Sequence, residues 1–207
     1  MADTRSHPEL ASLETICARI FAEQSAWRKV LIGGLLCLTV IGLPFAFGYL
    51  WRYLAQIRAE GDFSLPSWHE PAELLIPGLK ALAVFVAWFC LPWLVMLAVQ
   101  GFLAWVFGPL GLLGMIAASV VLWGVCGLFF SAFWAFQRNE SDWTVLVNFP
   151  LIWKPFARNW RRLIIPGLAF LGLTGLFFPL LPFAFFSGFL PLLGYTTQVY
   201  ILTQEAS

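Results

Sequence analysis

The chain has 207 residues, 60% of them hydrophobic and 11% charged, with a formal net charge of +1; ordinary soluble domains hold about 45–50% and 25%. That balance excludes a soluble globular domain, and so small a net charge gives no electrostatic attraction to nucleic acid. From Ala81 to Gln137 there are 57 residues without an Asp, Glu, Lys, Arg or His, and Leu163 to Gln204 adds 42 more, both runs far longer than the roughly 20 apolar residues that cross a bilayer.

Residues 1–29 read as an N-terminal amphipathic region. Leu10, Leu13, Ile16, Cys17, Ile20 and Phe21 recur at helical spacing, with Glu14, Arg19 and Glu23 on the other side. Charges of both signs are scattered from the start, so no cleavable signal peptide is expected. The remainder, 30–207, reads as a single transmembrane domain. Its first apolar segment, 30–51, is flanked by Trp27-Arg28-Lys29 and Trp51-Arg52, the aromatic and basic residues of interfacial belts. Gly42-Leu43-Pro44 interrupts it, because proline removes a backbone donor and clashes with the preceding turn. Either a kinked span or a re-entrant bend follows, and the span is preferred.

A polar connection over 52–78 contains the helix stops Gly61, Pro66 and Pro71. The 57-residue run then predicts a hairpin of two spans, 79–107, kinked at Pro92, and 112–136, joined by a turn at Gly108-Pro109-Leu110-Gly111. The next stretch is the most basic of the chain. Lys154, Arg158, Arg161 and Arg162 interleave there with Trp143, Phe149, Trp153, Phe156 and Trp160, a pattern that lies along a membrane surface. Two short or bent spans, 163–180 and 185–202, follow among Pro179, Pro182 and Pro191. Basic residues near the helix ends place both flanks of the central hairpin, and the C-terminus, in the cytoplasm.

Two stretches echo each other. Trp27-Arg28-Lys29-Val30-Leu31-Ile32-Gly33-Gly34-Leu35 resembles Trp160-Arg161-Arg162-Leu163-Ile164-Ile165-Pro166-Gly167-Leu168, and Leu43-Pro44-Phe45-Ala46-Phe47 recurs as Leu181-Pro182-Phe183-Ala184-Phe185. Such repeats occur in transporters, where broken helices build a midplane site.

Candidate chemistry is sparse. Coupled transport places Asp, Glu, His or Arg at membrane depth, and the apolar runs have none. The polar residues available at depth are Thr39, Gln100, Ser119, Ser131, Thr174, Ser187, Thr196, Thr197 and Gln198, and the densest cluster, Tyr195-Thr196-Thr197-Gln198, is expected to meet headgroups. No paired intramembrane aspartates, zinc-binding His-Glu-x-x-His helix or serine elbow occurs. His69, Glu70, Asp62 and Glu73 read as a solvated loop, and Cys17, Cys37, Cys90 and Cys126 as isolated small apolar residues. The basic side chains Lys154, Arg158, Arg161 and Arg162, with Arg52 and Trp68, are the candidate lipid- or partner-facing residues, and each cation is worth about 1 kcal/mol beside an anionic leaflet.

Between Ile32 and Pro92 the chain carries Gly33-Gly34-Leu35, Gly48-Tyr49-Leu50-Trp51-Arg52, Gly61-Asp62, Leu65-Pro66-Ser67-Trp68, Gly78-Leu79 and Leu91-Pro92. In these it resembles domain-of-unknown-function family 4013 of bacterial and archaeal membrane proteins. The resemblance implies a multi-pass architecture and no particular activity. The expectation is therefore an all-α integral membrane helical bundle with kinked helices and amphipathic interfacial helices, resident in the inner membrane. It would be non-enzymatic and without cofactor, metal or nucleic acid, acting through the lipid bilayer, anionic lipids, or a membrane or cytoplasmic protein partner. A transporter or channel component for an uncharged or amphiphilic solute, and a membrane-shaping protein with a half-inserted hairpin, are the alternatives.

Overall fold

The computed structural model describes residues 11–108, 111–139, 141–176 and 180–205, and these contain helices and no strand. In chain order the helices are α1 (Leu13–Ala22), α2 (Ala26–Cys37), α3 (Leu43–Glu60), α4 (Pro71–Phe85), a π-helical turn (Val86–Cys90), α5 (Leu91–Phe107), α6 (Gly111–Arg138), α7 (Thr144–Val147), α8 (Phe149–Leu176) and α9 (Leu181–Glu205). Among the described residues three continuous stretches, Pro71–Phe107, Val120–Arg138 and Pro182–Gln204, are long and apolar enough to cross a membrane. No residue of α5 is buried by protein, although Trp93, Phe102, Trp105 and Phe107 lie along it. A surface so apolar, on a helix long enough to cross a bilayer, fits a membrane.

The largest correction concerns 30–51, which does not form one helix. Proline at position 44 sits in the first turn of α3, where its missing N–H goes unused. The five residues before α3 close a turn in which Thr39 accepts the Gly42 N–H through both its carbonyl (3.1 Å) and its hydroxyl (3.0 Å). Any side chain at Gly42 would overlap the Leu36 carbonyl. α2 and α3 fold back on one another: Trp68 donates from Nε1 to the Lys29 carbonyl (3.1 Å) and stacks on Tyr49, ring centroids 4.1 Å apart. Were the segment one straight helix, Lys29 and Tyr49 would lie about 30 Å apart.

Other boundaries move for identifiable reasons. The span expected at 79–107 begins at Pro71, which opens α4 as an N-terminal proline. The kink expected at Pro92 is a π turn: Leu91 donates to Val86, five residues back, which relieves the clash between a proline ring and the carbonyl four residues before it. The span expected at 112–136 covers Gly111–Arg138, and part of its connecting turn, 109–110, lies outside the described residues. The surface segment expected over 143–162 is divided: Thr144–Val147 form α7, and from Phe149 the segment runs into the span expected from 163 as one helix, α8, because Arg161-Arg162-Leu163 contains no breaker. The span expected at 185–202 extends over Leu181–Glu205, since Pro182 falls in its first turn. Both copies of the Leu-Pro-Phe-Ala-Phe element thus open a helix, and α2 packs on the start of α9, where Gly34 and Gly33 leave room only for Phe183 and Phe186.

The core lies between α3, α6 and α9 and is largely aromatic. Phe129 packs with Phe85, Phe89, Phe130, Phe133 and Phe189, with ring centroids 5.4–6.3 Å apart. Lipid tails are as apolar as these rings, so their burial stabilises through dispersion and ring geometry rather than release of water. α3 and α4 meet backbone to backbone, where a methyl group on Gly78 would overlap the Pro44 carbonyl and one on Gly48 the Leu74 carbonyl.

Candidate functional site

Polar bonds gather at one end of the bundle. Arg58 donates from Nη1 to Gln137 Oε1 (3.3 Å), and Gln137 donates from Nε2 to the Trp51 carbonyl (2.8 Å), joining the C-terminal ends of α3 and α6. The Ala11 N–H donates to Gln198 Oε1 (3.2 Å), bringing the start of α1 to α9. Burial pushes the Arg58 guanidinium below its usual range, and neighbouring Arg138 adds to the effect.

Two arrangements occupy this end. The first is a lock built from the loop 61–70. Gly61 ends α3 in the left-handed region at φ +66°, with its N–H on the Ile57 carbonyl, a conformation glycine adopts without penalty. Asp62 then accepts from the Ser64 hydroxyl (2.5 Å) and backbone N–H (2.9 Å), which hold its carboxyl below the ordinary range. Loop carbonyls take three donors: Tyr49 Oη on Pro66 (2.9 Å), Lys29 Nζ on Leu65 (2.6 Å) and Arg52 Nη1 on His69 (3.0 Å). Lys29 also pairs with Glu23 at 2.7 Å, and Arg52 with Glu73 at 3.4 Å. Two of the candidate surface residues therefore bond within the chain: Trp68 holds the α2–α3 hairpin closed, and Arg52 ties α3 to the loop and to α4.

The second arrangement is a polar cavity of about 160 Å³ between α6, α8 and α9, lined by Trp134, Lys154, Pro155, Arg158, Asn159, Tyr200, Thr203 and Gln204. Spacings of four, three and one residues put Lys154, Arg158, Arg161 and Arg162 on one stripe of α8, and all four are exposed. Lys154 and Arg158 line the cavity; Arg161 lies 5.6 Å over the Trp160 ring and outside it. Buried Asn159 donates to the Pro155 carbonyl (3.0 Å) and accepts from the Thr203 hydroxyl (2.9 Å). Among the described residues Trp134 Nε1 is buried with no hydrogen-bond partner, and the buried Tyr200 hydroxyl faces that of Ser131. Sequence reasoning missed Trp134, Asn159, Tyr200 and Thr203. The available signal was an amphipathic ring or short polar group one turn inside each charged helix end.

The larger cavities are apolar. One of about 700 Å³ is lined by Val120, Leu122, Trp123, Trp160, Ile164, Leu168 and Gly172. Another of about 360 Å³ lies among aromatic rings including Phe47, Phe85, Phe89 and Phe185. Gln100 lines neither. Thr196 and Thr197, expected to meet headgroups, are buried, and their hydroxyls donate back to the Leu192 and Leu193 carbonyls of their own helix. Among the described residues no three His, Cys, Asp or Glu side chains gather in a way that would hold a metal ion.

The protein family described as "Protein of unknown function (DUF4013)" matches residues 31–139, just over half of the chain. No curated protein and no solved structure matches it. The match takes in α2 from residue 31, all of α3 and α4, the loop 61–70 and both glycine contacts between α3 and α4, and begins just after Lys29, the α2 residue that the loop bonds.

Proposed function

The chain belongs to the DUF4013 family of proteins of unknown function, and on that premise we propose that it is a non-enzymatic, multi-pass protein of the cell inner membrane. It serves as a membrane subunit or scaffold, acting through lipids or a protein partner at its charged end. One observation carries this reading: polar contacts and basic side chains collect at one end of the bundle, while the two large cavities are apolar and offer no polar path for a solute. The excess of Lys and Arg there favours the cytoplasm for that end and for the C-terminus. Purification in mild detergent, with identification of co-purifying lipids and proteins and a solute-flux assay after reconstitution, tests the proposal. A chain that elutes alone and conducts solute flux sinks it.

The α2–α3 hairpin favours a second reading, membrane shaping by a half-inserted wedge. Its arms, Val30–Leu38 and Leu43–Arg52, measure about 14–15 Å at 1.5 Å per residue, half of a core of about 30 Å. Val40 and Ile41 at its tip are 84% and 83% exposed. A wedge in one leaflet would narrow reconstituted vesicles, and Ile41→Asp would abolish the narrowing. Unchanged vesicle diameters at high protein density rule this reading out.

A further inference from the structure

We propose that the apolar cavity between α6 and α8 is a groove that holds one phospholipid, its acyl chain along the groove and its anionic headgroup at Arg161. The inference deepens the lipid-facing reading above and rests on it. Trp160, Ile164, Leu168 and Gly172 recur every four residues and form one stripe of α8, faced by Val120 and Trp123 of α6 across a cavity of about 700 Å³. From Trp160 to Gly172 the stripe rises about 18 Å, close to half of a hydrocarbon core of about 30 Å. The groove is therefore one leaflet deep, the reach of an acyl chain and about half of what a transmembrane helix needs. Among the described residues no charged side chain lines it, and an apolar cavity of this kind does not hold water. Gly167 seats the Trp123 indole against α8, since a Cβ there would come 2.5 Å from Nε1, whereas at Gly172 a Cβ would meet nothing within 4 Å. One side of the groove is thus closed by packing and its far end is open.

The near end differs in chemistry. Trp160 is half-exposed, and the Arg161 guanidinium lies 5.6 Å over its ring, an aromatic and basic pair of the kind found at membrane interfaces. After Arg162 no charged residue occurs before Glu205, so α8 leaves the headgroup layer here. Asp142 is the last carboxylate before Glu205, and Arg161 makes no ion pair among the described residues. A guanidinium only donates, and its fork matches the oxygens of a phosphate. The complement of the whole groove is an anion joined to a hydrocarbon chain. A free anion would leave the apolar stripe uncovered, and a neutral tail would leave the guanidinium without a counter-charge.

The test measures retention of phosphatidylglycerol by the delipidated full chain in detergent, by native mass spectrometry, against phosphatidylcholine with the same acyl chains. Leu168→Trp fills the groove, and Gly172→Leu fills it where an added Cβ has open space; both keep every cation of α8. Arg161→Gln removes the headgroup contact and leaves the groove open. The parent should hold one phosphatidylglycerol and prefer it to phosphatidylcholine by about fivefold or more, the worth of one cation beside an anionic headgroup. Each filling variant should weaken that retention by about tenfold with the thermal midpoint of the lipid-free chain unchanged, and Arg161→Gln should bring the two lipids to parity. If the filling variants retain phosphatidylglycerol as the parent does, the basic side chains act only as diffuse surface charge and the proposal is overturned. Equal retention of the two lipids by the parent, or retention of neither, overturns it as well. Should Leu168→Trp lower the midpoint, Gly172→Leu decides. Any of these failures leaves the scaffold reading standing, because that reading is judged by partner capture and flux.

Discussion

Closure of the α2–α3 hairpin can be measured as a distance. Nitroxide labels would be placed at Arg28→Cys and Ser67→Cys in a chain whose Cys17, Cys37, Cys90 and Cys126 are replaced by alanine. Trp68 Nε1 lies 3.1 Å from the Lys29 carbonyl, and Lys29 Nζ 2.6 Å from the Leu65 carbonyl. Each labelled residue is one position, about 3.8 Å, from a bonded partner, which brings the labels within about 20 Å. With the loop still fastened to Tyr49, a single helix over 30–51 would separate them by about 30 Å or more, the rise from Lys29 to Tyr49. Pulsed electron–electron resonance in reconstituted bilayers distinguishes the two arrangements. Sidedness gives an independent check. A membrane-impermeant maleimide should reach native Cys17 and, in a separate chain, Ser67→Cys from the same face of oriented vesicles. A distance distribution centred beyond about 30 Å, or labelling from opposite faces, would refute the hairpin and the wedge reading with it.

Gly78→Ala should destabilise the protein, since its methyl group meets the Pro44 carbonyl and the Gly48 backbone nitrogen, neither of which can rotate away. Overpacking of about 1–3 kcal/mol exceeds the gain of up to about 1 kcal/mol from removing a helical glycine, and would lower the thermal midpoint by roughly 2–10 °C; Gly101→Ala, with open space around it, should not lower it, and equal midpoints would contradict the crossing. Trp68→Phe keeps a ring against Tyr49 but loses the bond to Lys29, a change of about 1 kcal/mol that should widen the distance distribution between the two labels. Glu23 is held below the usual carboxyl range chiefly by its hydrogen bond from Lys29, with Ser25 adding to it. Its contribution is therefore present above the ordinary glutamate pKa of about 4.3 and lost as pH falls through the lower folded value. For so exposed a carboxylate the loss stays below about 1 kcal/mol, and Glu23→Gln should remove that part of the acid dependence of the thermal midpoint.

Length, apolarity and the position of each charge determined that this is a helical membrane protein, because a run without ionisable residues has one stable environment whatever its neighbours do. The N-terminal amphipathic helix was legible too, with Ile16 and Ile20 inward and Ser12 capping its first turn through the Thr15 N–H. Gly42-Leu43-Pro44 marked a break, but a break alone does not distinguish a kink from a reversal. That choice fell to the loop 61–70, whose carbonyls meet Lys29 and Tyr49 from opposite arms of the hairpin. Likewise the basic residues of α8 were visible as a stripe, whereas the cavity beside them depends on Trp134 and Tyr200, 66 positions apart in the chain. Helical periodicity fixes which residues share a face of one helix; which faces meet, and which buried donors go unpaired, is decided only when α6, α8 and α9 pack together.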